Sequence, residues 1–171
     1  MAAAAPAPVV ESLVLERGRR FSESSLWELQ RAFFEREGAR AWSSGTVPHY
    51  ITCNPYLAAA YAEVVLAFLA DCDELDPGRP VYVVELGAGS GRFAYHFLKK
   101  LEPLLAASPV RDLVVTYVLT DLPERTVEGW RAHAWFEPLV ARGRLDFARF
   151  DAVEDGEIVL TESGAVLAPG T

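Results

Sequence analysis

The sequence predicts an α/β chain: a helical N-terminal region followed by a parallel sheet built through strand–helix alternation. Three observations predict it. The run Val81-Tyr82-Val83-Val84-Glu85-Leu86-Gly87-Ala88-Gly89-Ser90-Gly91 reads as a buried strand that stops in a glycine-rich turn and opens a helix. Two further β-branched, apolar runs, Asp112 to Asp121 and Leu145 to Ala152, each end in an acid, Asp121 and Asp151. Gly87, Asp121 and Asp151 follow one another at intervals close to the ~30 residues of one strand–helix repeat.

Residues 1–20 read as a flexible tail; the opening Met1 to Pro8 lacks the charged start and long apolar core of a secretion signal. Residues 21–78 read as helical. Ser22 or Ser24 is placed to cap a helix from about Leu26, with Leu26, Leu29, Phe33 and Phe34 on its apolar face. Gly38 and Ser43-Ser44-Gly45 break that helix. Asn54-Pro55 starts a second one, with proline in its first turn. Its apolar stretch, Tyr56 to Ala70, contains Glu63 and is shorter than the ~20 residues of a bilayer span, so a buried helix is expected and no membrane contact. Asp76-Pro77-Gly78 is the turn that closes the region.

From residue 79 the alternation begins. Val81 to Val84 suit a strand covered on both faces. Arg92 to Ala107 carries Phe93, Phe97, Leu101 and Leu104 at helical spacing, with Pro103 weakening its end. A second crossover helix is expected from about Pro123, interrupted near Pro138 and stopped by Gly143. Glu157 to Leu160 and Ala165 to Leu167, joined through Ser163-Gly164, read as a hairpin.

The chemistry is concentrated at the strand ends. Alternate glycines let a backbone turn tightly and approach a ligand with no Cβ in the way. The helix from Arg92 directs its N-terminal N–H groups at the same spot. A dinucleotide fingerprint, Gly-x-Gly-x-x-Gly, would need a third glycine where this chain has Arg92, which makes a nicotinamide-dependent enzyme the weaker alternative. The pattern Glu85-x-Gly87-x-Gly89-x-Gly91 instead resembles the first motif of class I S-adenosylmethionine-dependent methyltransferases. The resemblance implies a Rossmann-like domain that binds S-adenosyl-L-methionine along Glu85, Gly87, Ala88, Gly89 and Gly91. Asp121, with Leu122 next to it, falls where that family holds the ribose; Asp151, with Ala152, falls where it contacts adenine. The stretch from Pro48 to Pro55, a helix and then Val84-Glu85-Leu86-Gly87 is also similar to the layout of protein methyltransferases linked to respiratory-complex assembly. Those commonly carry proline where this chain has Ala88.

Such methyltransferases have seven strands ordered 3-2-1-4-5-7-6, and three parallel strands can be counted here, expected in the order 3-2-1. The resemblance implies that 79–171 is the cofactor-binding half of the domain, truncated before the fourth strand. The chain alone is then expected to be inactive as an enzyme and to self-associate through the open sheet edge at Val81–Leu86. The resemblance assigns no catalytic residue and leaves the methyl acceptor, protein side chain or small molecule, open. The other class to weigh is a non-catalytic binding or scaffold protein of the same architecture.

Composition agrees with an ordered soluble domain: 51% of residues are hydrophobic and 23% charged. A formal charge of −8 disfavours nucleic acid as a partner, since phosphate binding relies on clustered Lys and Arg. Cys53 and Cys72 have no metal-type spacing and suit reduced thiols in a cytoplasmic protein. His96 and His133 fall on the crossover helices, where packing or surface roles are expected; His49 and Tyr50 precede the second helix and could line the cofactor mouth.

Overall fold

The computed structural model describes residues 13–170. The expected tail therefore lies largely outside the described residues; within 13–20 the backbone is irregular, yet the Glu16 carboxylate accepts hydrogen bonds from the Ser24 and Ser25 hydroxyls. After a 3-10 turn at Phe21–Glu23 come helices α1 (Leu26–Glu37), α2 (Arg40–Ser43) and α3 (Pro55–Leu75). Then β1 (Val81–Leu86), α4 (Arg92–Ala106), β2 (Val115–Asp121), α5 (Glu124–Arg131), α6 (Glu137–Ala141) and β3 (Leu145–Arg149) alternate, before the hairpin of β4 (Ile158–Val159) and β5 (Val166–Leu167). The sheet is parallel throughout, in the order β1-β2-β3, with Val83 beside Tyr117 and Leu119 beside Phe147.

Local signals set most boundaries. Ser24 Oγ accepts from the Leu26 N–H at 3.2 Å, and α1 ends at Gly38, whose φ of +52° favours glycine. Asn54 Oδ1 accepts from the Leu57 N–H at 2.8 Å, and Pro55 occupies the first turn of α3. Pro138 lies in the first turn of α6 rather than breaking a longer helix, so the interruption falls in the preceding segment, 132–136.

The core lies on one side of the sheet. Phe97, Leu98 and Leu101 of α4, Val127 and Trp130 of α5 and Leu139 of α6 pack against Val115, Tyr117, Leu119, Leu145 and Phe147. Successive crossovers that step one way across a sheet and share the usual hand put their helices on one face. Among the described residues the other face is covered only over β2 and β3, where Leu160 packs on Val118 and Ala148. Buried Asp146 fixes the hairpin there, its carboxylate accepting from the N–H groups of Phe147, Glu162 and Ser163 at 2.7, 2.9 and 3.0 Å.

Two expectations need correction. β1 is not covered on both faces: Tyr82, Val84 and Leu86 are 40%, 36% and 62% exposed, because the hairpin does not reach them. Nor is α3 a buried helix. Only Ala58, Ala62 and Leu69 are buried, on the side that packs along α4, whereas Val64, Phe68 and Leu75 are exposed. With 21 residues and a mean hydropathy of 1.4 over its most apolar window, α3 is long and apolar enough to cross a membrane by length and composition.

Candidate functional site: the cleft at the strand ends

The loop after β1 turns through three glycines with φ of +67° (Gly87), +56° (Gly89) and +69° (Gly91), a region other residues rarely adopt. Their surroundings differ. A Cβ on Gly91 would lie 2.8 Å from the Phe136 ring and 3.2 Å from Leu119, and one on Gly89 would lie 2.8 Å from the Trp42 indole. Around Gly87 there is nothing within 4 Å. Gly89 and Gly91 are therefore required by packing, while Gly87 faces open space.

Side chains from elsewhere hold the loop in place. Asp121, at the end of β2, accepts from the Gly89 N–H at 3.0 Å through Oδ2 and from the Leu122 N–H at 2.8 Å through Oδ1. The buried Trp130 indole of α5 donates to the Gly89 carbonyl at 2.9 Å. Ala88 N–H bonds to the Thr120 carbonyl at 2.9 Å, continuing the β1–β2 ladder into the turn. Both backbone polar groups of Gly89 are thus held by side chains. Burial pushes the Asp121 carboxyl above its usual range, against the lowering pull of the Leu122 and Gly89 N–H groups.

Gly87, Asp121, Leu122 and Pro123 form one wall of a cleft of about 510 Å³ at the carboxyl ends of the strands. The opposite wall is the N-terminal region: Trp27, Gln30, Arg31 and Phe34 from α1, and Trp42 from α2. Trp42 stacks on Phe34 with ring centres 5.2 Å apart. Open parallel sheets place ligands at this edge, and the volume lies within the range of small-molecule sites.

No family model, curated protein or solved structure matches the chain.

The structure brings only some of the sequence-predicted residues to the cleft. Gly87, Asp121 and Leu122 line it, and Ala88 and Gly89 are buried in the adjoining loop. Gly91 caps α4 behind them. Glu85 does not line it; its Oε2 accepts from the Tyr117 hydroxyl at 2.9 Å. Burial raises the Glu85 carboxyl to about 7, the Tyr117 hydrogen bond opposing this and the Asp121 charge adding to it. Asp151 is buried beyond β3 and also lies outside the lining. It accepts from the Val153 N–H at 3.1 Å and pairs with Arg31 at 3.2 Å, interactions that hold its carboxyl below the usual range, the Val153 bond foremost. Ala152 beside it is exposed.

Sequence reasoning missed Trp42, Trp130 and the Trp27–Gln30–Arg31–Phe34 stripe. The stripe has helical spacing, i, i+3, i+4 and i+7, and could have been found by it. The two tryptophans act on the loop through contacts between distant parts of the chain, for which spacing carries no signal. Among the described residues no group of His, Cys, Asp and Glu is placed to hold a metal ion.

Proposed function

We propose that this cleft binds S-adenosyl-L-methionine and that the chain is the cofactor-binding part of a methyltransferase. The observation that carries the reading is the meeting of Gly87 and Asp121 in one cleft at the carboxyl edge of a parallel sheet. Gly87 lets a ligand reach the backbone, and the Asp121 carboxylate keeps lone pairs beyond those used by Gly89 and Leu122 for accepting from ribose hydroxyls. The aromatic wall of Trp27, Phe34 and Trp42 suits a ligand with a flat base and a sulfonium charge, because ring faces attract cations. Methyl transfer from a sulfonium needs mainly alignment of donor and acceptor, since the leaving group is already activated.

Calorimetric titration with S-adenosylmethionine and, in parallel, NAD tests it. The donor should bind and NAD should not. Gly87→Val should abolish donor binding, and Asp121→Ala should weaken it by about 1.5–3 kcal/mol, the scale of hydrogen bonds to a charged group. Unchanged affinity in both variants would overturn the site. A second reading, an interaction protein, is favoured by the open sheet face. There Tyr82 and Val84 join Phe68, Leu75, Ile158 and Leu167 around an apolar groove of about 810 Å³.

A further inference from the structure

α1 has no buried residue although it carries Trp27, Phe33 and Phe34. Part of the reason is the direction of its stripe: Trp27, Gln30, Arg31 and Phe34 line the open cleft, and Phe34, on Trp42, and Arg31, on Asp151, reach across to another part of the chain. Within that stripe Arg31 is already committed to Asp151. The Trp27 indole N–H donates to the Phe21 carbonyl at 2.7 Å. Gln30 lies between the two aromatic residues, three positions after Trp27 and four before Phe34, and among the described residues no protein group hydrogen-bonds its carboxamide.

We propose that Gln30 reads the base of the bound nucleoside, its carboxamide pairing with the amine-bearing edge of adenine while the base lies among the rings of Trp27, Phe34 and Trp42. This rests on the methyl-donor reading of the cleft. A carboxamide both donates and accepts, as the adenine edge does, and this pairing is how glutamine reads adenine in other settings. Glu28, the one acid that α1 adds to the lining, can only accept when ionised and lies off the Trp27–Phe34 line of the helix. Asp151, the acid that spacing alone assigns to the base, lies outside the lining and is engaged by Arg31 and the Val153 N–H. Base recognition thus falls to the N-terminal helix rather than to the end of β3.

The test is a cycle between Gln30 and the exocyclic amine. S-adenosylhomocysteine and its analogue with unsubstituted purine in place of adenine are titrated into wild type and Gln30→Leu. Gln30 is exposed, so its replacement leaves the fold intact, which a thermal melt verifies. Wild type should prefer the adenine ligand by about tenfold, the scale of one well-formed base contact. In Gln30→Leu the two ligands should bind within about twofold of each other. A preference that survives in Gln30→Leu overturns the assignment of the base while leaving the cleft as the nucleoside site. If wild type binds neither ligand, the methyl-donor reading falls with it.

Discussion

Glu85 and Gly91 belong to the same short motif, yet their environments make opposite demands. Glu85 is turned into the helix-covered side beside Tyr117, and burial raises its carboxyl to about 7 from an ordinary 4.5. The folded chain therefore holds this proton more tightly than the unfolded chain. The stabilisation is complete below about 4.5 and is lost as pH rises through about 7. Glu85→Gln keeps an acceptor for Tyr117 without the buried charge. It should be more stable than wild type by about 3 kcal/mol above pH 8 and nearly equal below pH 4.5. Thermal melts of both proteins from pH 4 to 8.5 check this; a constant difference across the range would contradict it. At Gly91 the requirement is steric. Gly91→Ala combines a positive φ with a Cβ 2.8 Å from Phe136 and should cost about 2–4 kcal/mol. Gly87→Ala, with open space around it, should cost only the backbone part, about 1–2 kcal/mol. Urea unfolding of the two variants should separate them in that order.

At the scale of elements, the glycine loop depends on α5. Trp130 is the only side-chain donor to the Gly89 carbonyl among the described residues, and the bond is buried. Trp130→Phe keeps an aromatic ring but leaves that carbonyl without its donor, a loss of about 1–3 kcal/mol. It should lower the melting temperature and weaken donor binding together, because the loop that lines the cleft is the group released. A variant that melts earlier but binds S-adenosylmethionine as wild type does would show that Trp130 serves packing alone. α3 teaches a different lesson. Its composition suits burial, but only Ala58, Ala62 and Leu69 are buried, on the side beside α4, while Tyr61, Val64, Phe68 and Leu75 point outward. Hydrophobic content specifies that a surface needs cover, and only the neighbouring elements determine whether it has any.

At the scale of the whole molecule, among the described residues the sheet is lopsided: helices line one face, and the other is covered by the hairpin over β2 and β3 alone. Among the described residues β1 pairs only with β2, so its second edge offers unpaired backbone groups next to exposed Tyr82, Val84 and Leu86. Edges of this kind recruit further strands. The chain in solution should self-associate, with a molar mass that rises with concentration in light scattering after size exclusion. Val84→Lys, which puts a charge on the open face at that edge, should shift it toward the monomer. A wild-type chain that stays monomeric at high concentration would refute this.

By itself the sequence determined the strands, the longer helices and their order, but not the short α2. The Val81–Gly91 run, the two acid-terminated runs and the Ser163-Gly164 turn marked all five strands, and Asn54-Pro55, Gly38 and Gly143 marked helix ends. These are local properties: φ preferences, caps and periodicity act within a few residues and are written in composition and spacing. The same local logic brought Gly87 and Asp121 to one edge, since parallel strands end on the same side. The tertiary structure decided which glycine faces open space, where Glu85 and Asp151 direct their carboxylates, and what forms the opposite wall. Those outcomes depend on Trp42 meeting Gly89, Trp130 reaching its carbonyl and Arg31 meeting Asp151 across 120 positions of chain. Contacts of that separation arise from how layers pack, and packing is set by shape and volume across the molecule rather than by any residue's neighbours in sequence.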